Sequence, residues 1–243
     1  RPTGNLQTQL FQKVLDEIGQ YLLNVTFYFQ GEPYIHPRFL DLVKMASEKN
    51  IFTSTSTNAH FINSLVAENT VLSGLSQMII SIDGTTQEVY EQYRKHGSLD
   101  KVLDGAKEMV AAKKRLGSAT PKLIFQFLVV KANQHQIDEV FALAKEYGVD
   151  EVRLKTAQFY DYKNGNPLMP TDDKYSRYKL SKNGTYVLKN KMRNACWRMW
   201  SSCVITWNGI IVPCCFDKDA KHQLGKLDSK EFQEIWKSEK YEK

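Results

Sequence analysis

The chain has 243 residues, a formal net charge of +6 from 33 Lys and Arg against 27 Asp and Glu, and 42% hydrophobic and 25% charged residues. That is room for one large domain, or a medium domain with a small appendage, and the mix excludes wholesale disorder. The longest apolar stretches, Met78–Ile82 and Leu123–Val130, fall well short of the roughly 18 apolar residues a membrane span requires. The basic charge is dispersed among acids, which argues for a solvated surface and against a nucleic-acid groove. No apolar secretory leader is visible at the start, so a cytoplasmic setting is expected.

Taken in chain order, two periods alternate. Leu10–Leu23 places apolar residues at helical spacing, and Val25–Phe29 reads as a strand. Phe39–Lys49 is helical, Phe52–Thr57 is β-branched and strand-like, and a helix around Asn63–Ser73 leads into the buried strand Gln77–Ile82. Helices follow at Gln87–Tyr93 and Leu99–Arg115, then the strand Lys122–Val130. His135–Tyr147 is an amphipathic helix stopped by Gly148, and Glu151–Thr156 supplies a fifth strand. Such alternation predicts parallel βαβ units. The segment Tyr160–Asn190 is polar and aromatic with Asn-Gly turns, and reads as a linker with a small hairpin. A second hairpin is predicted over Val204–Pro213 around Asn208-Gly209, and the chain closes in a helix over Lys230–Lys240. The expected domains are therefore 1–159, a linker over 160–190, and a small cysteine-bearing domain over 191–243.

In parallel α/β sheets ligands sit at the carboxyl ends of the strands. Four successive strand ends here are polar: Gln30-Gly31-Glu32-Pro33, Ser56-Thr57-Asn58, Ser81 with Asp83 and Gly84, and Gln126 inside an apolar run. One such tip is ordinary turn chemistry. Four in succession point to a small ligand rich in oxygen and nitrogen. The four cysteines, Cys196, Cys203, Cys214 and Cys215, all fall within twenty positions, which favours a shared ligand or a redox role over scattered core thiols. Thiolates around a hairpin suit zinc or iron–sulfur chemistry. Adjacent residues on a strand point opposite ways, so one of Cys214 and Cys215 reads equally as a packed thiol.

Together these residues resemble the radical S-adenosylmethionine (SAM) superfamily, in the branch with a carboxyl-terminal SPASM or twitch domain. QGEP at Gln30–Pro33 is similar to the family's GGEP motif. SIDG at Ser81–Gly84, with the segment Val89–Gly105, is similar to its fourth-strand region. Cys196, then Gly209 and four further residues to Cys214, resembles the SPASM opening, and Leu224–Leu227 with Ile235-Trp236 resembles its tail. The resemblance implies a partial (βα)6 TIM-like barrel lacking its first strand, plus a small cysteine-containing hairpin and helix domain. It implies a 4Fe-4S cluster that reductively cleaves SAM to a 5′-deoxyadenosyl radical, a flavodoxin- or ferredoxin-type reductant, and a peptide, protein or small-molecule substrate.

By the same resemblance, Gln30, Gly31 and Glu32, with Pro33, would meet the amino group of the SAM methionine. Ser56 and Asn58 would meet the ribose or methionine, Ser81 and Asp83 the ribose or carboxylate, and Arg94 the carboxylate, which a guanidinium fork matches bidentately. Gln126 and the backbone near Val129 would approach adenine. Cys196 and Cys214 would hold one auxiliary cluster, with Cys203 or Cys215 as further ligands. The Cys-x3-Cys-x2-Cys motif that binds the SAM-cleaving cluster does not occur in the sequence. It is expected upstream of Arg1, and the chain alone is expected not to cleave SAM. The alternative is a degenerate SAM-binding or zinc-binding α/β module without catalytic activity.

Overall fold

The computed structural model describes residues 3–190 and 195–242. The start expected for the last domain, at residue 191, lies outside them. In chain order the main elements are α1 (Thr8–Ile18), β1 (Asn24–Thr26), α2 (Phe39–Ser47), β2 (Phe52–Thr57), α3 (Ser64–Leu72), β3 (Gln77–Ser81), α4 (Gln87–Tyr93), α5 (Leu99–Arg115), β4 (Lys122–Val129), α6 (Ile137–Tyr147) and β5 (Glu151–Thr156). Then come β6 (Tyr178–Leu180), β7 (Tyr186–Leu188), α7 (Arg198–Ser201), β8 (Val204–Ile205), β9 (Ile210–Val212), β10 (Gly225–Lys226), α8 (Phe232–Trp236) and α9 (Glu239–Glu242).

Strands β1 to β5 form one sheet in the order β1-β2-β3-β4-β5, with parallel pairing of β1 to β2, β3 to β4 and β4 to β5. The protein is α/β, as expected. An order that never reverses belongs to a barrel-type wall; a doubly wound sheet would reverse at a switch point. β1 is shorter than its sequence suggests. Phe27 still donates its amide to Ser54 O at 2.7 Å, but its ring turns into an aromatic group with Phe11 and Phe39, at centroid distances of 5.4 and 6.1 Å.

By compactness the chain divides into two units. The first comprises residues 1–55, 73–75 and 193–243. Two neighbouring rows of α1 serve two cores there: Phe11 and Leu15 pack with Leu42, Ala46 and Ile51, while Val14 and Ile18 pack with Ile211, Leu227, Phe232 and Ile235. Fully burying a Val, Leu, Ile or Phe side chain in this way is worth about 1.5–3 kcal/mol. Polar ties reinforce the second core, since Lys13 Nζ donates to Leu227 O at 2.7 Å and Glu17 accepts the Phe232 amide at 2.6 Å at the start of α8. β8, β9 and β10 form an antiparallel sheet, with Gly209 at φ +80° in the predicted Asn208-Gly209 turn.

The second unit comprises residues 56–72 and 76–192. Met78, Ile80, Leu123, Ile124, Phe125 and Phe127 are fully buried in β3 and β4, as strands covered on both faces must be. α4 and α5 begin at Thr86 and Ser98, whose hydroxyls accept the amides of Val89 and Lys101. α6 ends at Gly148, φ +74°. The segment read as a linker with a small hairpin contains that hairpin, β6 paired antiparallel with β7, and packs as well: Tyr178 is buried, stacks on Tyr162 at 4.5 Å, and places its hydroxyl between the Phe159 amide and carbonyl. It is tied to the loop after β4, because Leu168 O accepts the Lys131 amide and Gln134 Oε1 accepts the amides of Thr171 and Asp172. Its aromatic residues, which composition reads as polar-linker material, are what bury it.

Candidate functional site

Within the second unit, the ends of β2, β3 and β4 carry the expected polar residues. At the tip of β2, Asn58 Oδ1 accepts the His60 amide at 3.0 Å, and Asn58 O lies 2.7 Å from His60 Nδ1. His60 Nε2 faces the Ser98 amide at 3.0 Å. An amide can only donate and a carbonyl only accept, so the network assigns His60 the neutral tautomer with its proton on Nδ1. His60 thus ties the Asn58 turn to the start of α5. Ser56 is partly exposed beside it.

β3 and β4 pair Ser81 with Gln126, and β4 and β5 pair Gln126 with Arg153. Residues in register share a face, so Ser81, Gln126 and Arg153 form one polar row. Ser81 is buried at 7% exposure, and among the described residues neither its hydroxyl nor the Gln126 amide has a hydrogen-bonding partner. Arg153 is engaged by Glu151 through Nε at 2.9 Å and Nη2 at 2.8 Å. Val129 is fully buried, and its backbone pairs with Thr156.

Just beyond β3, Asp83 is 1% exposed. Its Oδ1 accepts the Leu128 amide at 2.8 Å and its Oδ2 accepts Arg94 Nε at 2.5 Å. The Arg94 Nη groups have no hydrogen-bonding partner among the described residues, and Arg94 Cζ sits 5.7 Å from the centre of the Tyr93 ring. Burial works against the Arg94 charge, but the Asp83 carboxylate and its hydrogen bond, with smaller contributions from Tyr90 and Tyr93, together outweigh it and hold the guanidinium above its ordinary value. Burial also drives the Asp83 carboxyl up, further than Arg94 and the Leu128 amide pull it back. Asn133, fully buried, binds Asp83 O and Leu128 O through Nδ2 and the Val130 amide through Oδ1. A Cβ on Gly84 would lie 2.4 Å from the Tyr90 amide nitrogen; only glycine lets α4 approach β3 closely enough to deliver Arg94 to Asp83.

In the first unit, Gly31 adopts φ +87°, Gln30 is exposed, and Glu32 Oε1 accepts the Tyr34 amide at 3.2 Å to cap the turn Pro33–Ile35. All four cysteines are free; Cys196 and Cys215 are exposed and Cys214 is partly so. Cys203 packs against the Val14–Ile211 core, and burial pushes its thiol up to about 12. Asp217 accepts the amides of Lys221 and His222, closing the loop after Cys214. Among the described residues no group of three or more His, Cys, Asp or Glu side chains is placed to hold a metal ion.

His60, Asn133 and Arg153 were not visible as site residues in the sequence. Only Arg153 left a trace, in the polar alternation Glu151, Arg153, Lys155.

The ends of β2, β3 and β4 thus gather polar side chains on the edge of an α/β sheet, where such folds hold their ligands. The family model of the radical SAM superfamily matches residues 2–144, and that of SPASM, described as an iron–sulfur cluster-binding domain, matches residues 196–243. The chain belongs to the radical SAM superfamily and carries a SPASM domain, so SAM and 4Fe-4S clusters are the cofactors of its family. It is 25% identical to a tungsten-containing aldehyde ferredoxin oxidoreductase cofactor-modifying protein of Pyrococcus furiosus, over 98% of this chain and 74% of that one. It is 32% identical to the mycofactocin maturase MftC of Mycobacterium ulcerans over 61% of this chain and 38% of that one, and 26% identical to a PqqA peptide cyclase of Gluconobacter oxydans over 71% and 47%. The chain thus spans less than half of the latter two relatives. Among solved structures, SuiB of Streptococcus suis bound to SAM aligns at TM-score 0.72 and 16% identity, over 98% of this chain and 60% of that one. Native anSMEcpe, with bound SAM and a Kp18Cys peptide, aligns at TM-score 0.66 and 16% identity, over 100% of this chain and 75% of that one. These likenesses establish the fold.

Proposed function

We propose that this chain supplies the SAM-orienting surface of a radical SAM enzyme that modifies a peptide or protein. The observation that carries the reading is the Arg94 guanidinium, held by its Nε on buried Asp83 with both Nη groups open among the described residues, at the strand end where Ser81, two positions before Asp83, keeps its hydroxyl without a protein partner among those residues. A guanidinium fork meets a carboxylate with two parallel charge-assisted hydrogen bonds, which suits the methionine carboxylate of SAM. Ser81, Gln126 and the backbone near Val129 lie along the adjoining strand ends for ribose and adenine, and His60 holds the Asn58 turn beside them. When bound, the reduced cluster with SAM supplies a 5′-deoxyadenosyl radical that abstracts a hydrogen; an electron donor of flavodoxin or ferredoxin type would reduce it. The work of these residues is to fix the orientation of SAM.

The peptide or protein substrate is supported by relatives named for a peptide cyclase and for a complex with a peptide. The folded segment after β5, anchored beside the end of β4, is a wall a substrate would meet. SAM titration tests the reading. Hydrogen bonds to charged groups contribute about 1.5–3 kcal/mol each, so Arg94→Ala should weaken SAM binding by at least about tenfold while leaving the melting temperature within a few degrees. Unchanged affinity would remove Arg94 from the site, and a collapse of thermal stability would make it structural.

A further inference from the structure

The oxygens of Asp83 are both committed inside the protein, although the sequence marked this residue as a ligand contact. We propose that Asp83 is a positioning residue that acts on SAM only through Arg94, gripping the guanidinium by Nε so that its Nη pair faces the ligand carboxylate; this rests on the SAM reading above. At 1% exposure the Asp83 side chain offers no surface to a ligand. Its Oδ1 is taken by the Leu128 amide and its Oδ2 by Arg94 Nε. A carboxylate this close would also repel the carboxylate of SAM, were it not neutralised by the arginine between them.

The point of attachment matters. An arginine has one donor on Nε and four on its Nη atoms. Asp83 takes the first and leaves the planar fork intact, whereas a bidentate grip on the Nη pair would have used it up. The grip is itself held in place: Asn133 Nδ2 donates to Asp83 O at 2.9 Å, and Asn133 also fixes Leu128 O and the Val130 amide. One buried bracket therefore sets the end of β4 and the direction of Arg94 together. Buried ion pairs add little net stability, because desolvation consumes their Coulombic gain. What this one contributes is geometry.

A double-mutant cycle read against two ligands, SAM and decarboxylated SAM, separates the possibilities. Wild-type protein is expected to prefer SAM, Arg94→Ala to lower that preference about tenfold or more, and Asp83→Asn to lower it about three- to tenfold. In the double variant the Asp83 substitution should add nothing, because its effect passes through Arg94. An Asp83→Asn variant that weakens both ligands equally, has no effect, or keeps its full effect in the Arg94→Ala background overturns the proposal. A wild-type protein with no preference for the carboxylate overturns the SAM reading itself. The contact is also read without ligand, and without Asp83→Asn having to fold. In the 15N-arginine-labelled wild-type chain the Arg94 Nε–H should exchange slowly and stay unmoved when SAM is added; rapid exchange of that proton overturns the positioning role whatever the titrations show.

Discussion

Residue by residue, the chemistry depends on whether a polar atom already has a partner. Among the described residues the side chains of Ser81 and Gln126 do not, both oxygens of Asp83 do, and Arg94 spends only its Nε donor. Asp83 also carries a pH dependence. Its ordinary value is 3.8 and burial raises it in the fold, so the folded chain holds this proton more tightly than the unfolded one. The stability this group contributes is complete below 3.8 and declines as the pH rises through the raised folded value. Asp83→Asn, neutral throughout, should remove that part of the profile in pH-dependent thermal melts and, for a change near 1 kcal/mol, shift the melting temperature at neutral pH by no more than about 4 °C. A fall several times larger would mean that the ion pair holds up the fold. Cys203 poses the opposite question. It packs with Val14, Ile18 and Ile211, as a small hydrophobe does. Cys203→Ala should destabilise by about 1–2 kcal/mol and leave iron uptake after anaerobic reconstitution unchanged; loss of iron would make it a ligand.

At the scale of elements, the SIDG segment acts as a joint. Ser81 ends β3, Asp83 grips the end of α4, and Gly84 lets the α4 backbone lie against the strand. Gln87 continues the joint by accepting the Leu99 amide at 2.8 Å and donating to Gly97 O at 2.9 Å, which closes the turn between α4 and α5. Gly84→Ala places a methyl carbon 2.4 Å from the Tyr90 amide nitrogen, and backbone there cannot yield as a flexible side chain would. The substitution should push α4 off β3, with a loss of about 1–3 kcal/mol in denaturant unfolding and weaker SAM binding. Full stability in that variant would refute the close packing. Elements with strong periodicity and a clear cap, such as β2, α4, α5 and β5, have the limits their residues predict. Those set by tertiary contact do not. β1 stops where Phe27 turns to its aromatic partners, and the two-residue strand β10 exists only because β9 lies beside it.

For the whole molecule, the expectation that joins the matched domains is iron. Cys196 and Cys214 flank the predicted SPASM hairpin, and the match to that domain spans both. Cys196→Ser with Cys214→Ser should abolish iron and sulfide uptake in anaerobic reconstitution, while zinc uptake at equal stoichiometry in place of iron would favour the zinc-binding alternative. No helix among the described residues is long and apolar enough to cross a membrane.

The βα alternation, the polar strand ends, the cysteine hairpin and, through three short motifs in order, the family are legible in the residues alone, because each is written in local periodicity or in fixed spacing. Which polar groups are open to a ligand depends on how distant segments pack. Asp83 and Arg94 look equally available along the chain, yet the fold brings Leu128 and Asn133, some 45 and 50 positions away, against the first and leaves the fork of the second open. Hydrogen-bond saturation is a property of neighbours in space, and no residue carries it alone.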